Sequence, residues 1–361
     1  MRTVIFLVFM ASLFSCINPG TQNAAEPMVI SIEKPVYATG FELHHLSDSS
    51  TKIIIFNPDR KDEILQTVIW KKRSAQKVAC LSTTHISFMD KLGCLAYVKG
   101  VGFSELIKNK HAAEAIQKGQ IQNISKGYET NDEVVLSIMP DLFFIYPFGG
   151  EDPRRFLEKG IGCVQIAEYT EKHPLGRSEW IKVFGVFMHE EQKADSVFNV
   201  IKTEYEALVE KVKNTNPSRP TVFFGSYDAG HWFAPPSNSF AAQFIRDAGG
   251  NYLFEGDTAS ANIIIPDEEF ILKGREIDFW GKLLTAEGTV GPNDFTMSES
   301  RFAQVKAVQS GGLFYCNTTE SDYHGDALLE PQKMLADLIG IFHGDQFSIG
   351  EPVYFRRVAT N

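Results

Sequence analysis

The sequence predicts an α/β protein of two Rossmann-like lobes joined by a single long helix, with a small β extension at its N-terminus. Three observations carry this reading. Short apolar strands alternate with helical patterns across residues 77–166, as in a parallel sheet. An amphipathic helical pattern then fills residues 178–214. From residue 220 the alternation of strand and helix begins again.

The chain has 361 residues, 43% hydrophobic and 22% charged, enough for two domains with cores of their own. Its net charge of -10 repels nucleic acid. Lys71-Lys72-Arg73 is a lone basic triplet and reads as a solvated loop.

The N-terminus carries an export signal. Arg2 precedes an apolar run over residues 3–14, which is too short to span a bilayer and ends in Leu13-Phe14-Ser15-Cys16. Residues 1–15 are therefore expected to be a signal peptide cleaved before Cys16, with the Cys16 thiol lipidated. Residues 16–27 then form a tether, small and polar in composition. The expected product is an exported lipoprotein, anchored in a membrane and facing the periplasm. Cys80, Cys94, Cys163 and Cys316 show no metal-ligand spacing. Cys80 and Cys94 are open to two readings, a disulfide or buried free thiols.

Residues 29–32, 41–44 and 52–56 read as strands of the accessory β segment, 28–74. Lobe one, 75–177, has strands near 77–81, 98–102, 121–124, 141–146 and 163–166. In the linker helix, 178–215, Trp180, Val183, Phe184, Phe187, Ala194, Phe198, Ile201 and Tyr205 share a face, and residues 188–190 are a possible interruption. Lobe two, 216–361, has strands near 220–225, 278–280 and 313–316, with helices over 239–248 and 331–342. Residues 352–355 read as a strand that pairs with the N-terminal ones.

Five ordered segments resemble the substrate-binding proteins of ABC importers for ferric siderophores, haem and cobalamin. Val78-Ala79-Cys80-Leu81-Ser82-Thr83-Thr84-His85 is similar to their opening strand and ligand-side turn. Val98-Lys99-Gly100-Val101-Gly102 resembles the second strand. Asn131-Asp132-Glu133 through Pro140-Asp141-Leu142 is close to a family signature, with Met139 where Lys is common. Trp232 to Ser239, with Asp247-Ala248-Gly249-Gly250, is similar to the second-lobe signature. Residues 328–343 resemble the closing helix, with Gly344 in place of the family's Pro. The closest likeness is to lipoproteins of Bacteroidota. The resemblance implies the class III periplasmic binding protein fold, an ABC permease and its ATPase as partners, and a monomer. It implies no resident cofactor, because iron or cobalt would arrive within the transported ligand.

The ligand is expected between the lobes, at the carboxyl ends of the strands. The loops there supply Thr83, Thr84, His85, Phe103, Tyr128, Tyr146, Phe148, Tyr227, His231, Trp232, Phe233, Tyr323 and His324. Aromatic residues suit a large, flat ligand. Trp232 is expected to line the cleft, since glycine and prolines around it mark a loop. His85, His231 and His324 would have to converge to bind a metal; the other reading of His85 is a helix cap. By resemblance, Glu133 and Glu268 dock into arginine pockets of the permease, with Glu269 as a substitute for the latter; helix N-terminal acids in solvent are the plain alternative.

The expected function is solute binding for import, of a ferric siderophore or cobalamin, and not catalysis. The absence of Arg and Lys from the loop positions above leans towards a neutral ligand such as cobalamin, although Lys126 and Arg177 are close in sequence and leave the choice open. Haem is the alternative ligand on the same fold. A secreted α/β hydrolase is the competing class, and it lacks a G-x-S-x-G elbow around Ser226. A surface lipoprotein serving an outer-membrane receptor is a third reading.

Overall fold

The computed structural model describes residues 27–60, 62–71, 75–127, 129–147, 152–344, 346–347 and 350–359. The signal peptide, Cys16, Tyr128 and Phe148 lie outside the described residues.

Strands β1 (Val29–Glu33), β2 (Phe41–Leu46), β3 (Thr51–Phe56) and β4 (Ile64–Trp70) form an antiparallel meander in that order. Its side chains alternate, so Phe41, Leu43, Ile53 and Ile55 are buried on one face. Phe41 packs against Trp180 and Trp70 against Phe187, each with ring centroids 5.1 Å apart. The meander therefore docks on the first lobe and the start of the linker.

Two carboxylates hold the turn between β1 and β2. Glu179 is fully buried and accepts the backbone N–H groups of Val36, Tyr37 and Ala38 at 2.8–2.9 Å. Glu171 accepts those of Thr39 and Gly40, and the Trp180 indole N–H at 3.0 Å. A Cβ on Gly40 would sit 2.7 Å from the Trp180 ring, so only glycine fits. Gln66 of β4 bonds Cys163 O at 2.7 Å and Gln165 N at 2.9 Å, covering a sheet edge that would otherwise be open.

In the first lobe, β5 (Val78–Cys80), β6 (Val98–Val101), β7 (Gln122–Asn123), β10 (Leu142–Ile145) and β11 (Gly162–Gln165) make a parallel sheet in the order β11-β10-β5-β6-β7. A small hairpin, β8 (Ser125–Lys126) and β9 (Glu129–Thr130), follows β7. Helices α1 (Thr83–Lys91), α2 (Lys110–Gln117), α3 (Asp132–Ile138) and α4 (Arg154–Leu157) connect the strands.

The linker is not one rod from residue 178. It starts four residues earlier as α5 (Pro174–Glu179), continues as α6 (Ile181–Met188), and breaks where His189 takes φ 57°. It resumes as α7 (Glu191–Thr215), 25 residues or roughly 38 Å. The periodic apolar face continues through the break, which is why the pattern alone overextends the helix.

In the second lobe, β12 (Thr221–Phe224), β15 (Asn251–Tyr252), β17 (Phe279–Leu284) and β18 (Leu313–Asn317) are parallel, in the order β15-β12-β17-β18. The C-terminal segment was expected to pair with the N-terminal meander; instead β19 (Arg356–Arg357) adds antiparallel to β18. The Asp337 carboxylate accepts the N–H groups of Val353, Tyr354 and Phe355 and fixes that return. Strands β13 (Ser226–Asp228), β14 (His231–Ala234) and β16 (Ile263–Ile265) form a separate antiparallel sheet. Helices α8 (Phe240–Asp247), α9 (Asp267–Lys273), α10 (Asn293–Thr296), α11 (Lys306–Gln309) and α12 (Pro331–His343) complete the lobe. Cys80, Cys94 and Cys316 are buried free thiols, so Cys80 and Cys94 are not bridged.

His85 caps α1 rather than facing a ligand. It is fully buried, and its Nδ1 lies 3.4 Å from the Ser82 N–H in a capping box. Burial holds its imidazole down at about 3. A histidine depressed in the fold stabilises it above the ordinary pKa of 6.5, and that contribution is lost as pH falls below it. Wild-type stability is expected to drop between pH 6.5 and 5 by about 1.4 kcal/mol per pH unit from this group, and His85→Gln to flatten the slope; urea midpoints across that range measure it. Glu179→Ala, which strands three buried N–H groups, is expected to cost about 3 kcal/mol in the same assay. A loss under 0.5 kcal/mol would show that the turn is held by packing alone.

Candidate functional site: the interlobe cleft

A cleft of about 240 Å³ lies between the lobes, at the carboxyl ends of their strands. From the first lobe and linker it is lined by Ser82, Thr83, Thr84, Tyr169, Pro174 and Arg177. From the second it is lined by Phe240, Phe244, Tyr323, His324, Ala327, Leu328, Pro331 and Met334. Local chemistry explains these placements. Ser82 is the N-cap of α1, so the turn after β5 exposes successive hydroxyls. Ser239 caps α8, which sets Phe240 at its first position.

Arg177 is the cation of this cleft. Its Nη2 donates to Tyr169 O at 2.6 Å and its Nε to Glu171 O at 3.3 Å. The guanidinium lies over the Phe240 ring, 3.5 Å from the centroid, so it stacks across the two lobes. Among the described residues no carboxylate comes within ion-pairing distance of it. Burial pulls its pKa down, with no practical loss of charge in an arginine. Glu168 and Glu171 feel that charge but are otherwise engaged. Glu168 is buried and accepts the Thr84 hydroxyl at 2.6 Å, and burial pushes its carboxyl up against that bond. Burial also raises the Tyr323 phenol, which therefore stays a neutral donor.

Of the expected ligand residues, the structure brings Thr84 and Tyr323 into the cleft, with Thr83 and His324 beside them. The other described ones lie elsewhere. Trp232 is a core residue: it is fully buried, stacked on Phe270 at 3.7 Å and edge-on to Phe302 at 4.9 Å. The stretch read as a loop is the hairpin β13–β14, turned by Ala229 and Gly230 at positive φ. Tyr227 packs on Trp232 and Phe302. Phe233 is half-buried in the hairpin, and His231 is exposed beside its turn. Tyr146 packs against the core behind β10. Phe103 takes φ 51° and donates its N–H to Ser125 Oγ at 2.8 Å, off the cleft lining. His85, His231 and His324 do not converge, and no cluster of three or more metal-ligating side chains occurs among the described residues.

Sequence reasoning missed Tyr169 and Phe240, and it noted Arg177 only as a charge close in sequence to the cleft loops. A signal for Tyr169 was present: it follows the last strand of the first lobe, the same strand-end position that singled out Thr84. Arg177 sits inside a helix, and nothing local separates it from a solvated charge.

Glu133 and Glu268 occupy matching positions. Each is exposed in the first turn of a short helix, α3 or α9. Each follows an aspartate tied to an arginine of its own lobe: Asp132–Arg155 at 3.0 Å and Asp267–Arg301 at 2.7 Å. Among the described residues the glutamates themselves make no ion pair.

A larger groove of about 580 Å³ lies behind the linker, among Tyr37, His173, Tyr205, Glu206 and Asp247. Its walls are tied to one another, Tyr205 to Asp247 at 2.7 Å and Tyr37 to Glu206. It also lies away from the strand ends, so the front cleft is the better candidate.

The architecture recurs in known proteins. A periplasmic haem-binding protein from Pseudomonas aeruginosa superposes with a TM-score of 0.62 at 16% identity, covering 79% of this chain and 99% of its own. The siderophore-binding protein BauB, solved with two acinetobactin molecules and ferric iron, gives 0.61 at 16% identity, covering 81% and 99%. An uncharacterised lipoprotein of Methanocaldococcus jannaschii is 27% identical over 290 residues, 77% of this chain and 67% of its own length. A sequence model described as periplasmic binding protein matches residues 78–319, from the first parallel strand to the end of the last. With two α/β lobes, a linker and a cleft between them, the chain belongs to the periplasmic binding protein family.

Proposed function

We propose that this protein is the solute-binding lipoprotein of an ABC importer and that its ligand is an anionic, oxygen-rich ferric chelate of the siderophore type. The observation that carries the ligand class is Arg177. A cation with no paired carboxylate, flanked by the hydroxyls of Ser82, Thr83 and Thr84 and the phenols of Tyr169 and Tyr323, is complementary to anionic oxygen. This reverses the lean towards neutral cobalamin, which rested on the loop positions and left open whether the nearby Arg177 contributes. A bare metal ion finds no cluster of three or more ligating side chains among the described residues. Ser226 begins β13, and no histidine bonds to it among the described residues.

The docking reading rests on Glu133 and Glu268. In each lobe the neighbouring aspartate is paired with an arginine, and Glu269 lies 4.0 Å from Lys273, so Glu133 and Glu268 are the carboxylates left to meet a cationic partner. The proposed location is the periplasmic face of a membrane, anchored through Cys16. Among the described residues no helix is long and apolar enough to cross a membrane.

Calorimetric titration of the mature protein with ferric hydroxamate, catecholate and carboxylate chelates, haem and cyanocobalamin tests the ligand. One ferric chelate is expected to bind, and Arg177→Met to weaken it about 10- to 100-fold. Tight binding of cyanocobalamin that Arg177→Met leaves unchanged would overturn the assignment. Glu133→Ala with Glu268→Ala is expected to abolish uptake while leaving the affinity for the chelate intact. Normal uptake by the double variant would remove the docking role.

A further inference from the structure

Three side-chain donors cross the front of the cleft, and all of them reach backbone carbonyls of one segment, residues 318–328, between β18 and α12. Ser178 Oγ donates to Leu328 O at 2.6 Å. Thr83 Oγ1 donates to His324 O. Lys108 Nζ donates to Thr318 O and to Thr319 O. The segment turns several of its amides inward. Asn317 Oδ1 accepts Thr319 N at 3.1 Å, Asp322 Oδ2 accepts Asp326 N at 3.2 Å, and Asp322 O accepts Ala327 N at 3.1 Å. With those donors satisfied locally, carbonyls remain to face the other lobe.

The three donors are not equivalent. Ser178 sits on α5, at the start of the linker itself, where little separation is needed. Thr83 lines the cleft. Lys108 is exposed, lies off the cleft lining and makes no ion pair among the described residues. At about 240 Å³ the cleft is below the roughly 300–1,000 Å³ usual for ligand pockets, so a bulky chelate enters only if the two sides part. Water can satisfy the same carbonyls once they are released, which makes such a closure reversible.

We propose that residues 318–328 form a strap that gates the cleft, latched at its outer end by Lys108 and at the cleft by Thr83, with Ser178 as the fixed end. This rests on the cleft being the ligand site. Opening the latch breaks the Lys108 and Thr83 bonds together and frees the strap to move with the second lobe.

Amide hydrogen exchange on the full mature chain, with no ligand added, tests the latch. Lys108→Met and Thr83→Val are each expected to speed exchange within residues 319–328 by about tenfold, and β12 and β17 to keep their wild-type rates. Lys110→Met, which removes the same charge two residues away, is expected to leave the strap unchanged. Wild-type strap rates in both Lys108→Met and Thr83→Val would overturn the proposal. So would acceleration that extends equally to β12, because the bonds would then serve global stability. No chelate is needed, so a failed latch leaves the uptake reading standing, and a failed titration leaves these rates as measured.

Discussion

The cleft depends on two carboxylates buried behind it. Glu171 precedes α5 and Glu179 ends it, and between them they collect five backbone N–H groups from residues 36–40 and the indole of Trp180. Charges removed from water are tolerable only when so many donors compensate them. The arrangement pins the start of the linker to the first lobe. Arg177 lies between these two residues in sequence, so the bonds that hold the meander also aim the guanidinium forward into the cleft. The N-terminal strands are in this sense part of the binding apparatus, although none of their residues lines it.

Much of the architecture was legible in the sequence because it rests on repeating patterns. Apolar runs such as Leu142-Phe143-Phe144-Ile145 suit a strand covered on both faces, and the 3.6-residue period of α7 marks a helix that packs on one side. Ser239 and the Gly249-Gly250 pair bounded α8 correctly. Isolated conformational events were not legible. The left-handed turn at His189 splits the linker without disturbing its apolar period. The Ala229-Gly230 turn makes a hairpin in a stretch whose prolines and glycine suggested an open loop.

The site was legible only in part, and for a related reason. Thr84 and Tyr323 could be found because they follow strand ends. Trp232 follows one too, but the local sequence does not show that Phe270, Trp280 and Phe302 come from three other segments to enclose it. A large aromatic is equally suited to a cleft wall and a core, and only tertiary packing decides. Arg177 shows the converse: a charged residue in a helix gains its meaning from Phe240, more than sixty positions away, under its guanidinium plane. Net charge is no guide here either, since an acidic chain can still present a cation in the cleft between its lobes.

The buried thiols have a consequence for how the chain matures. Burial pushes Cys94 and Cys316 up to about 11 and Cys80 higher still, so little thiolate is available to attack or be oxidised. Their sulfurs fill space in the interior as small apolar groups would. Folding of the described residues therefore calls for no oxidoreductase, and their thiols are shielded from swings in the redox state of the surroundings.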